Sequence, residues 1–326
     1  MDGRLPVMRN AVGLADILAA RDRIAGIAVR TPAVPSRSLA GSAGTTLLKL
    51  ENQQPSGSFK IRGAANAIRQ HIERDDPAGV TTASTGNHAR AVSYVGRRHN
   101  LDVHAFVSRD VSPARVSLLS RAGATVDTTS HDQAEAILRA RQHAAEHGYA
   151  FIPPFDDPAV ISGQGTVGLE LLEDTPSLDL VVVPVSGGGL AAGVGVAVKS
   201  LRPATRVVGV CGERTPAMRA SLDAGHPVTV PEVDTVADSL RGDLGPDNRY
   251  TFGLVREYLD DVVVVPEQAI IDAMRRLERR DKLRAEGAAA AAAAYLHQLS
   301  PGEAGTVAAA VITGGGLGPA RLPAIR

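Results

Sequence analysis

One local pattern recurs along this chain: a short apolar run typical of a β-strand, then a turn rich in glycine and small polar residues. Such turns follow the apolar runs at 80–83 and 180–183, where helix-like stretches come next, and the pattern returns in AVITGGGLG at 310–318. Strands that alternate with helices form parallel sheets, because each parallel connection needs a crossover segment. The chain of 326 residues is therefore predicted to be an α/β protein of one or two domains.

Lys60 lies in the segment SGSFKIRG, residues 56–63, just before the helix-like stretch 61–69. Burial and the positive end of a helix dipole both lower the pKa of a lysine in this position. A neutral amine can attack a carbonyl, which is the requirement for Schiff-base catalysis. The alternative for a lone lysine is a solvated helix residue, so the other segments decide between the two interpretations.

Three further segments offer complementary chemistry. STGNHARA, residues 84–91, would direct backbone N–H groups at an anion such as a substrate carboxylate, although Ser, Asn and Gly are also ordinary capping residues. PVSGGGLAAGVG, residues 184–195, has three consecutive glycines that let a phosphate approach the backbone, without the dinucleotide spacing G-x-G-x-x-G. Thr313 in AVITGGGLG could present a hydroxyl to a ring nitrogen or cap a turn. Amine, amide, phosphate cradle and hydroxyl together indicate one site.

Composition restricts the class of ligand and the cellular compartment. The formal net charge is +0 and aromatic residues make up 3% of the chain, which does not indicate nucleic-acid binding. The single cysteine, Cys211, excludes an intrachain disulfide, and we expect it to be a packed core thiol. No run of about 18 apolar residues is present to span a bilayer. We expect a cytoplasmic protein that acts on a small molecule.

The motifs as a series resemble the pyridoxal-phosphate enzymes of fold type II, in the threonine dehydratase and serine racemase family. The segments that carry the resemblance are TPAVPSRSL (31–39), LKLENQQPSGSFKIRGA (48–64), the stretch 113–124 ending in RAGA, GQGT (163–166), the glycine loop (186–190), and EGA (286–288). The resemblance implies a tryptophan-synthase-β-like α/β fold with two parallel-sheet domains and the active site in the cleft between them. It assigns residues 1–75 and 155–326 to the large domain and 79–150 to the small one.

The resemblance also implies a role for each matching residue. Lys60 would bind pyridoxal 5'-phosphate covalently and then remove the α-proton of the substrate. Thr313 would face the pyridine nitrogen with a hydroxyl, which favours β-elimination to a 2-oxo acid and ammonia, and Asn87 would bind the phenolic oxygen. The other expected cofactor-binding residues are Phe59, Ser186, Gly187, Gly188, Gly189 and Leu190, and the expected substrate-binding residues are Ser84, Thr85, Gly86, Asn87 and His88.

Several alternatives remain open at this level. The broad family implies threonine or serine as the substrate, whereas residues 236–252 look most similar to the dehydratases of hydroxyectoine utilisation, which implies a hydroxyectoine-derived amino acid as the alternative. A racemase is also possible, although Thr85 stands where serine racemases carry a serine. A β-replacement enzyme or a non-catalytic cofactor-binding protein would share the fold. We expect no metal site, because Cys211 and Ala217 stand at two positions where metal-binding relatives place acidic ligands, and we expect a homodimer or homotetramer.

Overall fold

The computed structural model describes residues 12–41, 44–245, 247–300 and 302–316. Two sheets organise this part of the chain, a large sheet in the order β1-β2-β10-β7-β8-β9 and a small sheet in the order β5-β4-β3-β6. The strands are β1 (Ala33–Pro35), β2 (Thr45–Lys49), β3 (Gly79–Ala83), β4 (Asp102–Ser108), β5 (Thr125–Ser130), β6 (Tyr149–Phe151), β7 (Leu180–Pro184), β8 (Arg206–Gly212), β9 (Asp261–Val265) and β10 (Val307–Val311).

Helices connect these strands and cover both faces of the sheets. They are α1 (Leu14–Ile24), α2 (Lys60–Asp75), α3 (Asn87–Arg98), α4 (Pro113–Ala122), α5 (Gln133–His147), α6 (Pro158–Asp174), α7 (Gly189–Leu201), α8 (Ala217–Ala224), α9 (Thr251–Tyr258), α10 (Glu267–Arg276) and α11 (Gly287–Gln298). Among the described residues, none of these helices has the length and apolar character needed to cross a membrane.

The sheets are parallel except at one edge, where β1 pairs antiparallel with β2. The central strand β7 reads LVVVP, and every one of its residues is buried. A continuous apolar run of this kind is typical of a parallel strand with helices on both faces. The predicted α/β fold with two parallel-sheet cores is confirmed, and among the described strands only the edge strand β1 is antiparallel to its neighbour.

Two features of packing bear on the site. Helix α2, which begins at Lys60, buries Ile61, Ala64 and Ile68 in the same apolar cluster as Val80 of the small sheet. Its opposite side contacts α6 of the large sheet, since the Asn66 side chain donates to the Ala159 carbonyl at 2.7 Å. The catalytic candidate is thus carried by a helix that packs against α3 beside the small sheet and against α6 beside the large sheet.

The alanine-rich segment at 288–294 lies within helix α11. Its alanines at 288–294 are all at most 2% exposed, because the small side chains let the helix lie close to the strands beneath it. Cys211 is also buried as predicted, on β8, where burial raises the pKa of its thiol to about 12. Glu213, beyond the end of β8, accepts a hydrogen bond from the Glu267 backbone N–H at 2.9 Å.

Candidate active site

The four predicted segments lie at the carboxyl ends of parallel strands, where α/β proteins place their ligands. The loop 84–86 connects β3 to α3, the glycine loop connects β7 to α7, and Thr313 follows β10. The segment that contains Lys60 follows β2 through a 3₁₀ turn and is joined to the end of β10. Its Phe59 N–H donates to the Thr313 carbonyl at 3.0 Å, and Ser58 forms a bridge with Gly314.

Lys60 is the first residue of α2, as its position after the turn predicted. Its Nζ donates to the Pro154 carbonyl at 2.6 Å and lies 5.2 Å from the centre of the Phe59 ring. Burial lowers the pKa of Lys60 to about 8, and the charge of Glu286 opposes this shift. The predicted lowering of the pKa is confirmed, and a neutral amine is therefore populated near physiological pH.

The glycine loop approaches the same Pro154 segment. A side chain on Gly187 would lie 2.4 Å from the Phe155 ring, and one on Gly189 would lie 3.0 Å from the Phe155 carbonyl oxygen. Gly188 has a φ of +88°, which favours glycine, and a Cβ there would lie 2.7 Å from the Met218 side chain. The loop is thus a tight turn packed against Phe155 and Met218 that leads into the N-terminus of α7, and a helix N-terminus after a glycine turn is the arrangement that binds a phosphate.

Asn87 begins α3 and connects the small sheet to the large one. Its Nδ2 donates to Glu286 Oε1 at 2.9 Å, and the Glu286 N–H in turn donates to the Gly314 carbonyl. Glu286 is 3% exposed, and burial raises its pKa to about 7. Sequence reasoning assigned Glu286 no role beyond its place in the EGA motif, because nothing in the motif shows that the carboxylate is buried.

The loop at residues 84–88, called the substrate loop below because we expect it to bind the substrate, contains both partly exposed and buried residues. Ser84 and Thr85 are partly exposed, and the Ser84 hydroxyl accepts from the Gly86 N–H at 3.3 Å. His88 points into the interior, with its Nε2 3.0 Å from the Ile152 carbonyl, and burial lowers its pKa to about 3. The imidazole is therefore neutral, and only the backbone of His88 belongs to the loop surface.

Other predicted residues lie at the edge of the cluster. The Ser186 hydroxyl is 3.5 Å from the Arg241 carbonyl, while Leu190 is buried in the core of the large sheet and can offer only its backbone. Arg90, in the first turn of α3, was not singled out from the sequence. Its side chain donates to the Ser56 carbonyl at 2.7 Å. It is a second link between the small sheet and the segment of Lys60.

These residues fit pyridoxal phosphate. The glycine loop has no space for side chains against Phe155 and Met218, Lys60 offers an amine with a lowered pKa, and Asn87 keeps an N–H that Glu286 does not occupy. The Ser58 hydroxyl is buried two residues before Lys60 and has no hydrogen-bond partner among the described residues, so a polar ligand beside it would satisfy this group.

Comparisons with known proteins agree with this geometry. The family model for pyridoxal-phosphate dependent enzymes matches residues 24–314. A Sinorhizobium fredii (strain NBRC 101917 / NGR234) protein, provisionally named a threonine dehydratase, is 46% identical over 286 residues, 87% of this chain and 86% of that protein.

Two solved structures extend the comparison to the whole fold. A threonine deaminase from T.th. is 36% identical with a TM-score of 0.84, covering 94% of this chain and 98% of that chain. Maize serine racemase is 33% identical with a TM-score of 0.85, covering 94% of each chain. The chain therefore belongs to the family of pyridoxal-phosphate-dependent enzymes of fold type II, among the threonine dehydratases and serine racemases.

Proposed function

We propose that this enzyme is a dehydratase and ammonia-lyase that eliminates hydroxide from a hydroxy amino acid of the threonine or serine type. The products would be a 2-oxo acid and ammonia. The observation that carries the proposal is the partly buried Lys60 amine, which has a pKa of about 8 and donates to the carbonyl of Pro154, the residue before the Phe155 that packs against the glycine loop. A protein that only bound the cofactor's phosphate would need neither this amine nor the Asn87–Glu286 pair.

Bound pyridoxal phosphate supplies an electron sink that acidifies the α-proton of an attached amino acid. Lys60 is the base for that proton, because its amine is partly neutral near pH 8. The backbone of residues 186–190 would bind the phosphate, and Asn87, held by Glu286, would direct its free N–H at the ring oxygen. The Thr313 hydroxyl would meet the ring nitrogen, and a hydroxyl leaves that nitrogen largely unprotonated.

The substrate carboxylate would bind to the loop of Ser84, Thr85, Gly86, Asn87 and His88, whose backbone N–H groups open α3. Arg90 adds a positive charge one turn further along the helix. We propose that residues 79–150 form a domain that closes on the remainder, residues 1–75 and 155–326. Closure would exclude water from the reaction.

Steady-state assays of the purified, cofactor-loaded protein test the proposal directly. We expect 2-oxo acid and ammonia from L-threonine or L-serine, and no product from the Lys60→Ala variant. Chiral analysis of the remaining amino acid measures racemisation in the same reaction, which the similarity to maize serine racemase makes the second candidate activity. Product formation only when sulfide is added would instead indicate β-replacement.

The identity of the amino acid is a separate question. Residues 236–252 resemble the dehydratases of hydroxyectoine utilisation, and this stretch contributes Asp238 and Ser239 beside Glu286. A cofactor-loaded enzyme that is inert toward threonine and serine, but active on a hydroxyectoine-derived amino acid, would support that subgroup. Size-exclusion chromatography with light scattering would test the homo-oligomer that we also propose.

A further inference from the structure

Arg115 joins the substrate loop to the opposite side of the site. It is the third residue of α4, which packs beside the small sheet. Its Nη1 donates to the Thr85 hydroxyl at 3.2 Å, and its Nη2 donates to Asp238 Oδ2 at 2.7 Å. A guanidinium can hold two partners at once in a fixed geometry, because its donors form a rigid planar fork. One side chain therefore spans from the small sheet's loop to a residue of the large-sheet side.

Asp238 follows a segment that is fixed to helices of the large sheet. The residues just before it are held by Glu267 at the start of α10, whose carboxylate accepts from the Thr235 hydroxyl at 2.7 Å and the Val236 N–H at 2.6 Å. The Val236 carbonyl also lies so close to α11 that a Cβ on Gly287 would be 2.2 Å from it. The segment is thus fixed to two helices of the large sheet.

Thr85, by contrast, lies in a loop with little support of its own. Its neighbour Gly86 has no atom within 4 Å of the position that a Cβ would take. The Thr85 hydroxyl accepts its hydrogen bond from Arg115, a residue of another helix. Loops with few packing contacts open at low free-energy cost, so one charge-assisted hydrogen bond can change their populations measurably.

We propose that Arg115 is a positioning residue that holds the substrate loop in its binding conformation by tying Thr85 to Asp238. This inference rests on the proposed function, because it assumes that residues 84–88 bind the substrate carboxylate. The two side-chain hydrogen bonds of Arg115 go to Thr85 and Asp238, whereas Lys60 and Asn87 bond to other groups. The direct effect of Arg115 therefore falls on the substrate loop rather than on the Lys60 amine that would hold the cofactor.

Kinetics of Arg115→Met against a matched control test the role. Arg139 of α5 pairs with Asp127 of the same small sheet at 3.4 Å, and both arginine side chains are 36% exposed. We expect Arg115→Met to raise KM roughly five- to tenfold with kcat within about twofold, whereas Arg139→Met changes neither. Equal behaviour of the two variants, or a loss in kcat at unchanged KM, would overturn the proposal.

A double-mutant cycle tests whether the effect passes through Asp238. Asp238→Asn should raise KM, and adding Arg115→Met should raise it little further, because the two changes break the same connection. Fully additive effects would contradict the link. Arg115→Lys keeps the charge without the fork and should give an intermediate KM. Added salt should raise KM of the unmodified enzyme more than that of Arg115→Met, since the pair is partly exposed to solvent.

Hydrogen exchange provides a readout that needs no turnover. We expect peptides that cover residues 84–88 to exchange faster in cofactor-loaded Arg115→Met than in Arg139→Met, with the cofactor's absorbance spectrum unchanged. Unchanged exchange in this loop would refute the positioning role even in an active enzyme. Faster exchange in a protein without dehydratase activity would uphold the connection and refute only the proposed function.

Discussion

The Asn87 side-chain amide donates a hydrogen bond to Glu286 Oε1 at 2.9 Å, and this contact joins the start of α3 to the residue before α11. The amide has two N–H groups, so one stays available for a ligand while the other fixes the orientation of the side chain. Glu286 is buried and its pKa is raised to about 7. The proposed cofactor-binding amide is therefore held by a carboxyl group that titrates near neutral pH.

Replacing Glu286 should change how stability depends on pH. Burial raises the pKa of Glu286 from 4.5 to about 7, so the folded state retains a proton that the unfolded state has lost. The stability from this group is fully present below about pH 4.5 and is lost as pH rises through 7. The difference in unfolding free energy between the Glu286→Gln apoprotein and the wild-type apoprotein should therefore shift in favour of the variant by about 2 to 3 kcal/mol from pH 5 to pH 8. Urea denaturation of both apoproteins at pH 5 and pH 8 measures this shift. An unfolding free energy that changes with pH equally in the two proteins would contradict the prediction.

Covalent attachment of pyridoxal phosphate to the apoprotein should report the pKa of Lys60. Only the neutral amine attacks the aldehyde, so the attachment rate should rise with pH and level off above the pKa of about 8. In Glu286→Gln the apparent pKa should fall further, because the carboxylate charge that raises it is gone. Stopped-flow absorbance gives the rates, and Lys60→Arg serves as the blank. A midpoint near 10, the ordinary range for a lysine, would show that the amine is solvated.

The glycine loop should be intolerant of a single added methyl group. Gly188 and Gly225 have similar φ angles, +88° and +76°, but only Gly188 is crowded, with the Met218 side chain 2.7 Å from the position that a Cβ would take. Gly188→Ala should therefore weaken cofactor binding at least tenfold, through a shift of the backbone that meets the phosphate. Gly225→Ala should cost about 1 kcal/mol of stability and leave cofactor affinity unchanged. Fluorescence titration of the two apoproteins with pyridoxal phosphate compares their affinities. Equal affinities would contradict the phosphate-binding role of the glycine loop.

The buried ion pairs of Arg62 in α2 should contribute strongly to the stability of the fold. Arg62, two residues after Lys60, is 1% exposed and pairs with Glu51 at 2.8 Å and Glu170 at 2.7 Å. Arg62→Met leaves two buried carboxylates without this partner and should destabilise the fold by about 3 to 5 kcal/mol. Arg74→Met on the same helix breaks solvent-exposed contacts with Asp75 and His71 and should leave the denaturation midpoint nearly unchanged. Chemical denaturation tests the difference, and similar losses would argue against it.

The local patterns in the chain determined more than the fold class. The apolar runs at 80–83 and 180–183 became β3 and β7, and the alanine-rich segment became α11, because burial on both faces and helix propensity act over a few neighbouring residues. The turn before Lys60 likewise placed it at the first position of α2. Strand ends in a parallel sheet meet at one edge, so the four glycine-rich segments could be predicted to converge.

Tertiary structure alone decided the partners of these groups. Glu286 meets Asn87 across 199 positions of sequence, and Arg115 meets Asp238 across 123. The Pro154 carbonyl that accepts from Lys60 belongs to a segment with no motif of its own. A carboxylate's burial and an arginine's reach depend on how helices pack on the two sheets, and that packing sums many weak contacts which no short stretch of sequence encodes.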